Sequence, residues 1–149
     1  MNRIRLLLAL MLLAVSLPLS AHAWPGGGRH HEAGLEGAWK LVGTMSGPGG
    51  ALVPNAQGFE EYKLITGGYF MWTSLQDGRI VRHAGGVATI GEGTYSERLD
   101  YTDSDALAGY VGKTHEFQWK IVDGRWYHTG VLHGARGDFH IGEVWERAR

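Results

Sequence analysis

Thr114–Val122 reads THEFQWKIV, Arg125–Leu132 reads RWYHTGVL, and between them lies Asp123-Gly124. An Asp-Gly pair between two alternating runs is the strongest short signal for a β-hairpin, because a type I′ turn needs two successive residues with positive φ. A two-residue turn also fixes the register. Val122 then faces Arg125, Ile121 faces Trp126, Trp119 faces His128 and Phe117 faces Gly130. Side chains alternate along a strand, so His115, Phe117, Trp119 and Ile121 share one side with Trp126, His128, Gly130 and Leu132. Glu116, Gln118, Lys120, Arg125, Tyr127 and Thr129 take the other side, which suits water. The hairpin therefore turns its rings inward and carries two histidines with them.

The same alternation extends outward along the chain. In Phe139–Glu146, one face carries Phe139, Ile141, Glu143 and Trp145. In Tyr95–Tyr101, Tyr95, Leu99 and Tyr101 share a face with Glu97. Further strand-like runs are Ala38–Thr44, Glu60–Thr66, Tyr69–Leu75, Ile80–His83 and Val87–Thr94, with reversals at Thr66-Gly67-Gly68 and Asp77-Gly78. Ser46–Gln57 (SGPGGALVPNAQ) reads as a Gly/Pro-rich connection or lid, and Ser104–Tyr110 as a turn or two of helix. The 24 glycines argue against a helical bundle, since each interior Gly weakens a helix by roughly 1 kcal/mol relative to Ala. Many short strands in one small chain predict an all-β fold: a single antiparallel up-and-down β-barrel of eight to ten strands.

Composition narrows the function classes. Fourteen Lys and Arg against 15 Asp and Glu give a net charge of −1, which excludes a strongly basic nucleic-acid binder. With no Cys, a disulfide framework, an Fe–S centre and a thiol nucleophile are excluded as well. Arg3 and Arg5, the apolar run Leu6–Leu17 and the small-residue site Ala21-His22-Ala23 predict a secretory signal peptide over residues 1–23. That run is too short to span a bilayer, so no transmembrane span is expected. Residues 24–34 read as a flexible tail and 35–149 as the barrel domain. The expected location is secreted or periplasmic, and the oligomeric state stays open.

Several stretches resemble a known family. Leu35–Val42 (LEGAWKLV) has the Gly-x-Trp opening of lipocalins and fatty-acid-binding proteins, the calycin group, and Glu143–Arg147 (EVWER) resembles their closing strand. Tyr62–Ile65, Gly68-Tyr69-Phe70 and Gly93–Glu97 are similar to the pattern of small secreted bacterial lipocalin-like proteins of unknown function. In the last stretch Tyr95 and Glu97 are compressed to near neighbours. The resemblance implies a lipocalin-like barrel with a small-molecule cavity, and Trp39 stacked under Arg147 as a structural pair. Where fatty-acid-binding proteins place inward Arg and Tyr, this chain has Glu143 and Trp145, which departs from a fatty-acid carboxylate site.

The expected function is binding of a small apolar or aromatic molecule inside the barrel. Its wall would be Tyr62, Phe70, Trp72, Tyr95, Phe117, Trp119, Trp126, Phe139 and Trp145. Glu97, His115, His128 and Glu143 would be interior polar groups, since a lone buried carboxylate is costly and needs a partner or a task. The alternative is a barrel enzyme, an isomerase, cyclase or hydrolase, in which His128 and either Glu97 or Glu143 move a proton. The His and Glu residues lie on separate strands without local ligand spacing, so neither metal nor cofactor is expected.

Overall fold

Three reversals set the sheet. Gly67-Gly68, Asp77-Gly78 and Asp123-Gly124 each have positive φ at both central residues, the geometry of type I′ turns that matches the twist of paired strands. Across Asp123-Gly124 the partners are Val122 with Arg125, Ile121 with Trp126, Trp119 with His128 and Phe117 with Gly130, the register derived from the turn length.

The structure is a computed structural model that describes residues 34–47, 49–134 and 137–149. The expected leader (1–23) and residues 24–33 of the expected tail lie outside the described residues. The strands are β1 (Gly37–Met45), β2 (Leu52–Pro54), β3 (Phe59–Thr66), β4 (Tyr69–Gln76), β5 (Arg79–Ile90), β6 (Thr94–Thr102), β7 (Thr114–Val122), β8 (Arg125–Gly134) and β9 (Gly137–Arg147). Each pairs antiparallel with its neighbour from β3 to β9, and β1 joins β3 to β9. The result is a closed eight-stranded up-and-down barrel, lipocalin-like in architecture, with β2 as an added short strand on β1.

Three expectations about elements change. Ile80–His83 and Val87–Ile90 are parts of one strand, β5, and the run expected to reach Thr94 stops at Ile90, because residues 91–93 form the turn into β6. At Gly85-Gly86 the register against β6 shifts, with Asp100 of β6 as the extra residue, and a side chain on Gly86 would run into the Arg98 carbonyl. Ser104–Tyr110 holds only a 3₁₀ turn at Ala108–Tyr110. The Ser46–Gln57 connection is tied down by β2, with Met45 opposite Leu52, and by the Asn55 amide donating to the Leu41 carbonyl at 2.9 Å.

One end of the barrel, where β1 begins, is sealed by Leu35 and Trp39, both buried. The Trp39 indole donates to the Leu35 carbonyl at 2.8 Å. The Arg147 guanidinium lies 3.9 Å from the centre of the Trp39 ring and donates to the carbonyls of Glu36 and Gly34. Gly37 has φ +121°, and a side chain there would strike this guanidinium. The Gly of Gly-x-Trp thus suits its left-handed backbone, and a side chain there would push the guanidinium off the Trp. At the opposite end Phe59, Trp72, Leu107, Tyr110, Leu132 and Ile141 are only partly buried.

Candidate functional site

The inward positions of β3, β6, β8 and β9 bring charge into the middle of the aromatic core. Lys63 is 3% exposed, and its ammonium lies 2.8 Å from Glu97 Oε1. It also lies 5.2 Å from the centre of the Trp145 ring, 5.4 Å from Trp126, 5.8 Å from Tyr95 and 6.0 Å from Phe70. Four electron-rich faces and one carboxylate therefore replace the water that a buried ammonium loses. Burial works against the charged lysine, but Glu97, Glu143 and Glu61 more than offset it and hold its pKa above the ordinary value.

Glu143 stands opposite His128 across the β8–β9 ladder. His128 Nδ1 is 2.9 Å from Glu143 Oε2, and the Trp145 indole donates to the same oxygen at 3.1 Å. Burial would raise the Glu143 pKa, yet the His128 hydrogen bond, the Lys63 charge and the Trp145 donor bring it down to about 2. Glu61, on β3, accepts from the Ser74 hydroxyl. Burial first, then repulsion from Glu143, pushes its carboxyl above the usual range. Tyr95 is held neutral by burial and by the negative charge of Glu97 and Glu143.

Two further observations mark this cluster. Among the described residues, the Tyr95 hydroxyl, Trp126 Nε1, His128 Nε2 and His115 Nε2 are buried side-chain atoms with no hydrogen-bond partner. Such groups ordinarily cost about 1–3 kcal/mol each. The rings of Tyr95, Trp126 and His128 lie within 5.1–5.6 Å of one another. The side chains of Glu97 and Glu143 keep 12% and 19% of their surface accessible, although Tyr95, Trp126 and Trp145 beside them are at 0%. The two glutamate side chains are therefore less completely covered than the rings around them.

The residues singled out from the sequence divide as follows. Tyr95, Phe117, Trp126, His128, Glu97, Glu143 and Trp145 converge on this cluster. Phe117 lies 4.5 Å from the His128 ring. Trp72 is inward and half-buried, paired with Lys63 and Ala84. His115 is the cross-strand partner of Glu97, but its ring rests on Tyr110 at 5.4 Å. Burial and Lys113 lower its pKa. Trp119 spends its indole N–H on the carbonyls of Gly91 and Thr94 at the barrel's end.

Two wall positions are corrected. Tyr62 points outward: it donates to Glu60 at 2.9 Å and carries the Lys40 ammonium over its ring. Phe139 is 61% exposed, because β9 begins beyond the rim. Missed from the sequence were Lys63, Glu61 and Ser74.

A second concavity, about 890 Å³, lies outside the wall. It runs between the end of β1 (Met45, Gly47, Gly49, Gly50) and outward side chains of β7–β9, including Lys120, Tyr127 and His140. Among the described residues, no group of three or more His, Asp or Glu is arranged to hold a metal ion, and no helix is long and apolar enough to cross a membrane. No protein-family model matches the chain, and no curated protein matches it. A barrel by itself does not identify a family.

The opposed carboxyls of Glu143 and Glu61 give stability a pH signature. Glu143 has a depressed folded pKa, so its contribution is complete above the ordinary carboxylate value of 4.5 and is lost as pH falls toward about 2. The loss is on the order of 3 kcal/mol. Glu61 has a raised folded pKa, so mild acidification from neutral pH stabilises through it. Urea midpoints should therefore rise as pH falls through the raised Glu61 value, with the loss through Glu143 setting in under pH 4.5. Glu143→Gln should flatten the acid limb, and Glu61→Gln should remove the rise. An acid limb of equal size in Glu143→Gln would contradict the assignment.

Proposed function

We propose that this chain is a lipocalin-like binding protein, exported to the periplasm or the medium, that holds a small apolar or aromatic molecule inside its barrel. The observation that carries the reading is that Glu97 and Glu143 keep part of their surface accessible among buried rings, next to polar atoms without partners. Apolar walls with a few fixed polar groups are the usual make-up of small-molecule sites. Trp72, Leu132 and Ile141, only partly buried, would be the side chains a ligand passes on entering. Native mass spectrometry of protein purified from the cells that make it should show an added mass that denaturation removes. An unladen protein whose tryptophan fluorescence ignores a panel of small aromatic compounds would sink the proposal.

A second reading is kept by one contact. Glu143 engages His128 Nδ1 and leaves Nε2 buried without a partner, the arrangement in which a carboxylate orients an imidazole for proton transfer. An isomerase, cyclase or hydrolase on this barrel would use His128 with Glu143. Glu97 is committed to Lys63. Such an enzyme would show a pH–rate profile that His128→Ala abolishes while the fold survives. Retention of full activity in that variant would dismiss the reading.

A further inference from the structure

We infer that the interior site takes neutral or cationic aromatic molecules and turns away carboxylates, a statement that rests on the binding reading above. The reason is which half of the buried ion pairs faces the space. Lys63 is 3% exposed and closed in by four rings, whereas its partner Glu97 is 12% accessible and Glu143 is 19% accessible. A molecule entering beside them meets carboxylate oxygen, and the one interior lysine is out of reach. Glu61 adds a third acidic group to the same neighbourhood, with the enclosed Lys63 and then Arg82, exposed on β5, as its counter-charges. His128, the other basic side chain, has Nδ1 on Glu143 and Nε2 without a partner, so what it offers a ligand is offset by the carboxylate bonded to the same ring. Lys63 itself reports the sign of the field, since its proton is held more tightly than in water in spite of burial. A ligand carboxylate placed there faces like charge in a poorly solvated space, where repulsion is several-fold stronger than in water. The outer concavity has the opposite bias, because Lys120 and His140 line it.

Three compounds with one ring system separate the cases: 2-naphthylmethanol, 2-naphthylmethylamine and 2-naphthoate, titrated calorimetrically into the intact protein at neutral pH. The alcohol or the amine should bind, with naphthoate at least roughly tenfold weaker than the better of them. Glu143→Gln should shrink that penalty, whereas Lys120→Gln should leave it unchanged. Naphthoate binding as tightly as the alcohol and amine would overturn the charge preference and leave the binding reading standing. Saturation by none of the three would overturn both.

Discussion

Lys63→Met should destabilise the barrel by roughly 3–5 kcal/mol, the range expected when one member of a buried ion pair is removed and the other is left charged. For a domain of this size that is a fall in Tm on the order of 10–20 °C. Methionine fills most of the lysine's volume and keeps contact with the rings, so the loss is not a cavity effect. It comes from Glu97, left without its 2.8 Å partner, and from Glu143, which loses one of the groups holding it ionised. The decisive comparison is the double variant Lys63→Met with Glu97→Gln. Neutralising both partners removes the stranded charge, so at least half of the stability should return. Urea denaturation of wild type, both single variants and the double closes the cycle. If the double variant is as unstable as the two losses added together, the lysine acts through packing, and the ion pair is not the cause.

Trp39→Ala should have a loss of similar size, about 3–5 kcal/mol, as expected for a fully buried large ring. Trp39 is 1% exposed and meets the Trp126 ring edge-on at 5.4 Å. Its indole N–H satisfies the Leu35 carbonyl. Arg147→Ala should destabilise less, by about 1–2 kcal/mol, through the lost stacking on Trp39 and the lost bonds to two backbone carbonyls. Once Trp39 is gone, the arginine has no ring to cover, so the two losses should not add. Additive values in the double variant would mean that the stack contributes nothing.

The sequence made the barrel legible because its turns are chemically explicit. Asp123-Gly124 defined one hairpin residue by residue, and the inward placement of His128 and Glu143 followed from alternation alone. The Gly67-Gly68 turn held the same kind of information. It pairs Thr66 with Tyr69, Ile65 with Phe70 and Lys63 with Trp72. If Trp72 faces inward, Lys63 must do so too, and Tyr62 must face out. Hydrophobicity did not decide, because the inward face of β3 carries Glu61 and Lys63 with Phe59 and Ile65, and the outward face Tyr62 and Leu64 with Glu60 and Thr66. What makes a lysine tolerable inside is a carboxylate 34 positions away and rings from four other strands. No local pattern announces that. Ile80–His83 and Val87 onward read as separate runs for a related reason: Gly85-Gly86 carries no side-chain pattern, and only the pairing with β6 shows that the ladder continues through it.

The clasp between Arg147 and Glu36 joins positions 111 apart, and this bears on the order in which the chain acquires structure. Hairpins such as β3–β4 and β7–β8 are local and can form as soon as their residues are present. Seating β1 against β9 must wait until nearly the whole domain has been synthesised, because each strand supplies the other's only cover on that side. A nascent chain halted before Trp145 would be an open sheet with two unsatisfied edges, prone to pair with other copies. Folding should therefore be slow for the size of the domain, with the final closure as its gate.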